Sequence, residues 1–468
     1  MRRELGAGAV RLDPADRWAY GSDNSRRHAL PAAVLLPSSE AQIQAAVALC
    51  HEHGVPLTTR GRGTGTTGAA VPEPGGVVLS LERMDRILEV APGERLLVAE
   101  PGVTNQAVQE AAGRHGFFWA PDPTSAPFCT VGGNLACNAA GPRAVKYGTP
   151  RENTLALHAV DGTGQPLRTG VRTSKGVVGY DLTRLLIGSE GTLAVITRAT
   201  LRLLPLPEAR GGLQAWYRDM HAAARAVARL MAQPATPCAL EFVDGAALGL
   251  MRRQGAGAGI PEEAGALLLV EADGPAAALG QTLEALAEAA AGPGLVALRL
   301  ARDEAQRQAL WATRKALSPA LRHVAPLKIN EDVVVPVPRM AELTAGLEAL
   351  GRRHGIAIVN FGHAGNGNIH VNLLLDPAEP GALERAERCL EGIFELVLAL
   401  GGTLSGEHGV GRAKRPYVAR ELDPRALALM HALKAAFDPR GILNPGKTLP
   451  PLEHPCGGPP GQAGPAAG

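Results

Sequence analysis

The sequence predicts an α+β protein of more than one domain, and three observations predict it. Its 468 residues are enough for two or three separate cores. Its 57 Gly and 37 Pro require many turns, while abundant Ala and Leu support long helices. Past residue 208 the pattern changes from glycine-rich segments between short strands to two successive β-α-β units, the signature of a ferredoxin-like cap.

The elements follow in order. Ala33 to Leu36 reads as a short buried strand, Ser38-Ser39-Glu40 as a helix start, and Ile43, Val47 and Leu49 as its buried face. A glycine loop follows, Thr58 to Gly68, whose backbone N–H groups and small side chains suit a pyrophosphate, although a flexible turn has the same composition. It is neither a Walker loop nor a Rossmann fingerprint. Strands are predicted at Val77 to Ser80, Ile87 to Val90 and Leu96 to Glu100, then a helix from Asn105 to His115. Two further small-residue segments, Pro121 to Gly141 and Gly179 to Leu193, lead into a strand from Val195 to Leu204. In the cap, Leu213–Tyr217, Met220–Met231 and Cys238–Phe242 form one unit, and Ala266–Glu271, Leu279–Ala290 and Leu295–Leu300 the other. A helix near Glu304 to Leu321 carries Arg314, and a strand from Leu327 carries Lys328. Helices from Leu383 to Leu400 and ending at Phe437 close the cap.

Chemistry is expected between Phe361 and Leu374. Gly362, Gly365 and Gly367 shape a loop, and Ile369 to Leu375 is apolar enough for a buried strand. In a strand His370 and Asn372 share a face, with His363 folding back from the loop. Glu407 and His408 stand on a second glycine-flanked loop. Two imidazoles and a carboxylate suit a divalent ion of the zinc, manganese or iron type, although histidines near glycine also occur in plain surface turns.

Composition excludes other classes. A net charge of +2 and 3% aromatics argue against nucleic acid. The six cysteines, Cys50, Cys129, Cys137, Cys238, Cys389 and Cys456, include no C-x-x-C pair, which argues against an iron-sulfur cluster and reads as free thiols in a reducing compartment. The first residues lack an apolar signal region and no run of about 18 apolar residues occurs, so the expected location is cytoplasmic, with at most peripheral contact at the inner membrane face.

Seven motifs in order, Arg60–Gly65, Pro121–Pro123, Thr130–Asn134, Gly188–Thr192, Gly362–His370, Gly406–Gly411 and Asp438–Lys447, carry a resemblance that extends from Leu30 to Lys447. The chain resembles the flavin-binding family of vanillyl-alcohol oxidase and p-cresol methylhydroxylase. Within it, the branch of the glycolate oxidase D subunit, cytochrome-linked D-lactate dehydrogenase and D-2-hydroxyglutarate dehydrogenase is the nearer match. The resemblance implies an N-terminal segment over 1–29, a two-subdomain FAD-binding domain over 30–208, the cap with substrate and metal sites over 209–437 and a C-terminal return to the FAD domain over 438–447, while Pro- and Gly-rich composition predicts a disordered tail over 448–468.

It also implies FAD held by Arg60, Gly61, Gly63, Thr64, Gly65 and Thr66 in the first loop, then Pro121, Asp122, Thr124, Gly132, Gly133, Asn134, Asn138 and Gly148. Glu190, Gly191, Ile196 and Asn444 complete that set. No histidine stands in the first loop, so the flavin is expected to be non-covalent. The metal ligands implied are His363, His370 and Glu407, with zinc or manganese foremost. Arg314 and Lys328 would take the carboxylate of a 2-hydroxy acid, Asn372 its polar end, and His408 the hydroxyl proton, with hydride passing to flavin N5. Three positions depart from the pattern: Asn366 stands where Asp is usual, Arg62 where glycine is, and Arg198 where an acidic residue is frequent.

Without a nicotinamide site, electrons are expected to leave for an iron-sulfur subunit, an electron-transfer flavoprotein, a cytochrome or a quinone. Two alternatives stay open: a non-redox transferase of the alkylglycerone-phosphate synthase type, and a flavin electron-transfer subunit.

Overall fold

In the computed structural model, residues 1–255, 259–311 and 324–452 are described. They form three sheets. The first has four strands in the order β1 (Val10–Arg11), β2 (Ala33–Leu35), β4 (Val77–Ser80) and β3 (Leu57–Arg60), with β2, β4 and β3 parallel. The crossover from β2 to β3 is the helix Glu40–His53, capped by Ser39, which buries Ile43, Ala46, Val47 and Cys50 under the sheet. Leu49, expected on that face, is only half-buried, and Cys50 takes the inward position.

The second sheet runs β5 (Ile87–Ala91), β6 (Leu96–Ala99), β10 (Ala194–Pro205), β8 (Thr154–Asp161) and β9 (Pro166–Gly170), and β7 (Phe117–Trp119) pairs with the far end of β10. Ala99, Ala199, Leu201 and Leu203 on one face pack with Val108 and Ala112 of the helix Asn105–Gly113 and with Leu135 of the helix Val131–Cys137.

The third sheet is antiparallel throughout. Its order is β14 (Leu295–Ala301), β11 (Ala209–Tyr217), β13 (Ala266–Gly274), β12 (Ala239–Asp244), β16 (Ala357–His363), β17 (Asn368–Leu375) and β15 (Leu327–Val334). The first four strands, in sequence order 4-1-3-2, are the expected ferredoxin-like unit, and three more strands extend it through the β12–β16 pairing. The helices Met220–Ala232, Ala276–Ala290, Met340–His354 and Ala382–Ala399 share one core with this sheet. The other face carries Val243, Phe361 and Leu374.

After the helix Pro424–Phe437 the chain returns to the first sheet: Leu57 donates to Ile442 O at 2.8 Å and Asn444 donates to Leu57 O at 2.7 Å. Two boundaries differ from expectation. β3 continues through Arg60, so the first loop begins at Gly61. His363 ends strand β16 and does not fold back from a loop, because the strand pairs through His363 with Asn368 and the turn comes after it, in Ala364–Asn366 and Gly367 at φ 69°. Arg314 and Cys456 lie outside the described residues, and the other five cysteines are free thiols.

Candidate active site

A single cleft of ≈1890 Å³ separates the glycine segments from the face of the third sheet that carries Phe361, His363 and His370. On one wall the first loop is pinned from behind, where Asn24 donates to the carbonyls of Thr64 and Gly65. Among the described residues the N–H groups of Arg62 to Thr66 have no acceptor and the buried hydroxyls of Thr59 and Thr66 have no partner. Such a row of unused donors suits a diphosphate. At Gly65 a Cβ would meet nothing within 4 Å, so that glycine leaves space for a ligand and not for a neighbouring chain segment. The residues present therefore fit the flavin nucleotide.

Gly61, Gly63, Thr64, Gly65, Thr66, Thr124, Gly132, Gly133, Asn134, Glu190, Gly191 and Ile196 line the cleft. Others of the expected set bond to protein. The Arg60 guanidinium donates to Ser22 O, the Asn138 side chain accepts from Thr149 and Arg151, and Asp122 pairs with Arg143 at 3.3 Å. Pro121 O accepts from Asn105, Gly148 caps the helix Ala144–Tyr147, and Asn444 donates to Ala69 O and Glu190 O. These six shape the wall from behind. Glu190 lines the cleft but turns its carboxylate away from it, accepting from Val410 and Gly411 N–H at 2.5 and 2.8 Å.

The opposite wall is electrostatic. His363 and His370 stand on adjacent strands with their Nε2 atoms 3.4 Å apart, and Glu407 Oε1 lies 3.1 and 3.7 Å from them. Ligands about 2.0–2.1 Å from a tetrahedral ion stand roughly 3.3 Å apart, so this donor set fits a divalent metal. Each imidazole also has a carboxylate opposite it on the neighbouring strand. Glu241 of β12 registers with His363 and bonds its Nδ1, while Asp332 of β15 registers with His370, its Oδ1 3.8 Å from Nδ1.

Burial lowers the pKa of His363, but Glu241 and Glu407 outweigh it and hold the group at about 10. Burial, with the charges of His408 and His363, pushes His370 down to about 3. Burial would raise Glu407, yet the imidazoles beside it hold it at about 2. The cluster thus has the field of a cation site.

Asp332 is completely buried and organises the second loop. Its Oδ2 accepts from Ser405 Oγ and from the N–H groups of Gly406, Glu407 and His408, at 2.8–3.1 Å. This fixes both Glu407 and His408, whose ring stacks on His370 with centroids 5.1 Å apart. Glu407 Oε2 in turn accepts from Gly141 N at 2.7 Å, which ties the cluster to the flavin wall.

Lys328 and His408 line the cleft with His363, His370 and Glu407. Asn372 does not. It is fully buried, donates to Val359 O and His370 O, and accepts from Asn330 Nδ2, so Asn330 is the amide that reaches the cleft. Sequence reasoning missed Glu241, Asp332 and Asn330. The signal available was a charge inside an apolar strand, as in Ala-Leu-Glu-Phe-Val and Glu-Asp-Val-Val-Val, where burial demands a partner.

Residues 206–448 match the family described as FAD linked oxidases, C-terminal domain, and 31–170 match the FAD binding domain family. The chain belongs to the FAD-linked oxidases. It is 38% identical to the glycolate oxidase subunit GlcD of Bacillus subtilis over 92% of both chains. It is 35% identical to the D-lactate dehydrogenase of Archaeoglobus fulgidus, covering 89% of this chain and 91% of that one. The fold is that of p-cresol methylhydroxylase, with a TM-score of 0.74 at 17% identity over 95% of both chains. It is shared by alkyldihydroxyacetonephosphate synthase, with a TM-score of 0.71 at 19% identity over 95% of this chain and 85% of that one. This FAD-linked oxidase is thus an FAD-dependent oxidoreductase related to GlcD and D-lactate dehydrogenase proteins.

Proposed function

We propose that the chain is a dehydrogenase that oxidises a D-2-hydroxy acid of the glycolate, D-lactate or D-2-hydroxyglutarate class to the 2-oxo acid. It uses non-covalent FAD and a divalent ion, zinc or manganese, and passes electrons to an acceptor other than NAD. The observation that carries this is the single cleft lined on one side by the flavin-type loops and on the other by His363, His370 and Glu407. The names of the relatives, glycolate oxidase subunit and D-lactate dehydrogenase, support the substrate class.

Lys328 binds the substrate carboxylate, an interaction worth about 1.5–3 kcal/mol as a charge-assisted hydrogen bond, and Arg314 shares that role. Asn330 holds the polar end of the substrate. His408 removes the hydroxyl proton. Its backbone N–H is held by Asp332 and its ring stacks on His370, so the ring is oriented before substrate arrives. When bound, FAD supplies the two-electron acceptor for the C2 hydride and the metal supplies positive charge at the substrate oxygen. Glu241 keeps the His363 Nε2 atom directed at the cluster.

The electrons then pass to an iron-sulfur subunit, an electron-transfer flavoprotein, a cytochrome or a quinone. Among the described residues no helix is long and apolar enough to cross a membrane. The test is 2-oxo acid formation from glycolate, each lactate enantiomer and D-2-hydroxyglutarate, with an artificial electron acceptor. One D-acid, or glycolate, is expected to turn over. Protein loaded with FAD and metal that oxidises none of them contradicts the proposal.

A further inference from the structure

Strand β9 runs into the loop 171–181, whose tip is unusual for a soluble surface. Val177, Val178 and Tyr180 are 94%, 101% and 96% exposed, so these side chains touch almost nothing of their own chain. Isolated exposed apolar residues are ordinary, but three within four positions at one loop tip mark an interaction site.

A second, independent observation lies beside it. Arg198, the position that departs from the family pattern, registers across the sheet with His158 of β8, which registers with Arg168 of β9. Basic groups directly opposite one another on adjacent strands repel. Among the described residues Arg168, Arg198 and Arg202 make no direct ion pair; Arg198 reaches the buried Glu100 through its field, and with Arg168 it adds to burial in pushing His158 down. Only Arg172 is directly paired, with Glu89 and Glu94 at 2.8 and 3.1 Å. Val171 and Arg172, at the base of the loop, line the same shallow depression as Arg168, His158, Arg198 and Glu89, so the loop that carries the apolar tip springs from the edge of the basic face.

We propose that the loop 171–181 and this basic face dock on an anionic lipid bilayer. The tip inserts Val177, Val178 and Tyr180 at the headgroup level, while Lys175, Arg168, Arg198 and Arg202 lie against the charged surface. Charge complementarity selects this occupant. Elements that sit in a bilayer interface carry apolar side chains on a projecting part with Lys and Arg behind them, whereas a protein interface packs its apolar residues into a patch ringed by polar ones. The docking does not depend on which acid the cleft oxidises.

The test is sedimentation of the FAD-loaded full chain with vesicles of phosphatidylglycerol and phosphatidylcholine in equal parts, and with phosphatidylcholine alone. Binding is expected only to the anionic vesicles and should fall with added salt. Val177→Asp with Val178→Asp should abolish it. Arg168→Glu with Arg198→Glu should weaken it by at least about tenfold, given about fivefold for each basic residue near the surface. Dye-linked turnover in solution should stay unchanged in both variants, which separates docking from misfolding. A wild-type chain that stays in the supernatant with both vesicles, as one serving a protein partner would, overturns the proposal. So does a Val177→Asp, Val178→Asp variant that sediments like wild type.

Discussion

On the flavin side of the cleft, Arg62 to Thr66 offer backbone N–H groups, and residues expected to touch the cofactor, such as Arg60, Asn138 and Asn444, bond to protein behind them. On the cap side the groups that face the cleft are charged side chains, braced by carboxylates on neighbouring strands. A backbone cradle tolerates side-chain change where the side chain points away, and it fails when bulk enters the space. A charged cluster tolerates little, because each ionised member is buried at the expense of the others.

The largest effect is expected from removing a cluster member. Glu407→Gln or His363→Ala should lower metal affinity by more than about a hundredfold, since even outer partners of metal ligands cost about 10–100-fold. Equilibrium dialysis against zinc and manganese measures this. Retained affinity would mean that the charge is not there to hold a cation.

Next come the braces. Glu241→Gln and Asp332→Asn should each cost about 10–100-fold in metal affinity while leaving the FAD absorbance intact. Asp332→Asn should also lower turnover in metal-saturated protein, because His408 loses the acceptor that fixes its backbone.

The flavin wall should respond differently. Gly65→Val should weaken FAD binding with little change in the thermal stability of FAD-free protein, since nothing in the chain occupies that space. Arg60→Ala should do the reverse, destabilising the fold more than it weakens FAD binding.

The smallest effect concerns Lys447, which bonds Asn444 Oδ1 at 2.7 Å behind the first loop. Burial first, and then the charge of Arg412, push its pKa down to about 7. Below that pH it is charged in both folded and unfolded chains. Between about 7 and about 10.4 only the unfolded chain holds the proton, so the contribution of Lys447 to stability rises with pH across that window. In FAD-free protein, thermal unfolding of Lys447→Met should show a shallower rise than wild type over that range. Equal slopes would show that the ammonium is not desolvated there.

The sequence carries the flavin wall more fully than the cap. Glycines at Gly61, Gly65 and Gly133 are legible because backbone approach requires them at fixed local spacing, and His363, His370 and Glu407 stand out as polar groups in glycine-flanked turns. Glu241 lies 122 residues from the histidine it braces, and only the β12–β16 register joins them. Asp332 was hidden for the same reason. The period-two argument correctly placed Asn372 with His370 on one strand, but burial consumed its amide, a consequence of the neighbouring strand that periodicity cannot show.

The most direct measurement is the flavin absorbance of the protein without oxygen, mixed with D-lactate, L-lactate, glycolate and D-2-hydroxyglutarate, before and after chelation. One D-acid, or glycolate, should bleach the flavin band in metal-loaded protein. That bleaching should disappear on metal removal and return with zinc or manganese. A band that none of them bleaches, or bleaching at an unchanged rate after verified metal removal, would contradict a reaction carried out between the flavin wall and the His363, His370 and Glu407 cluster.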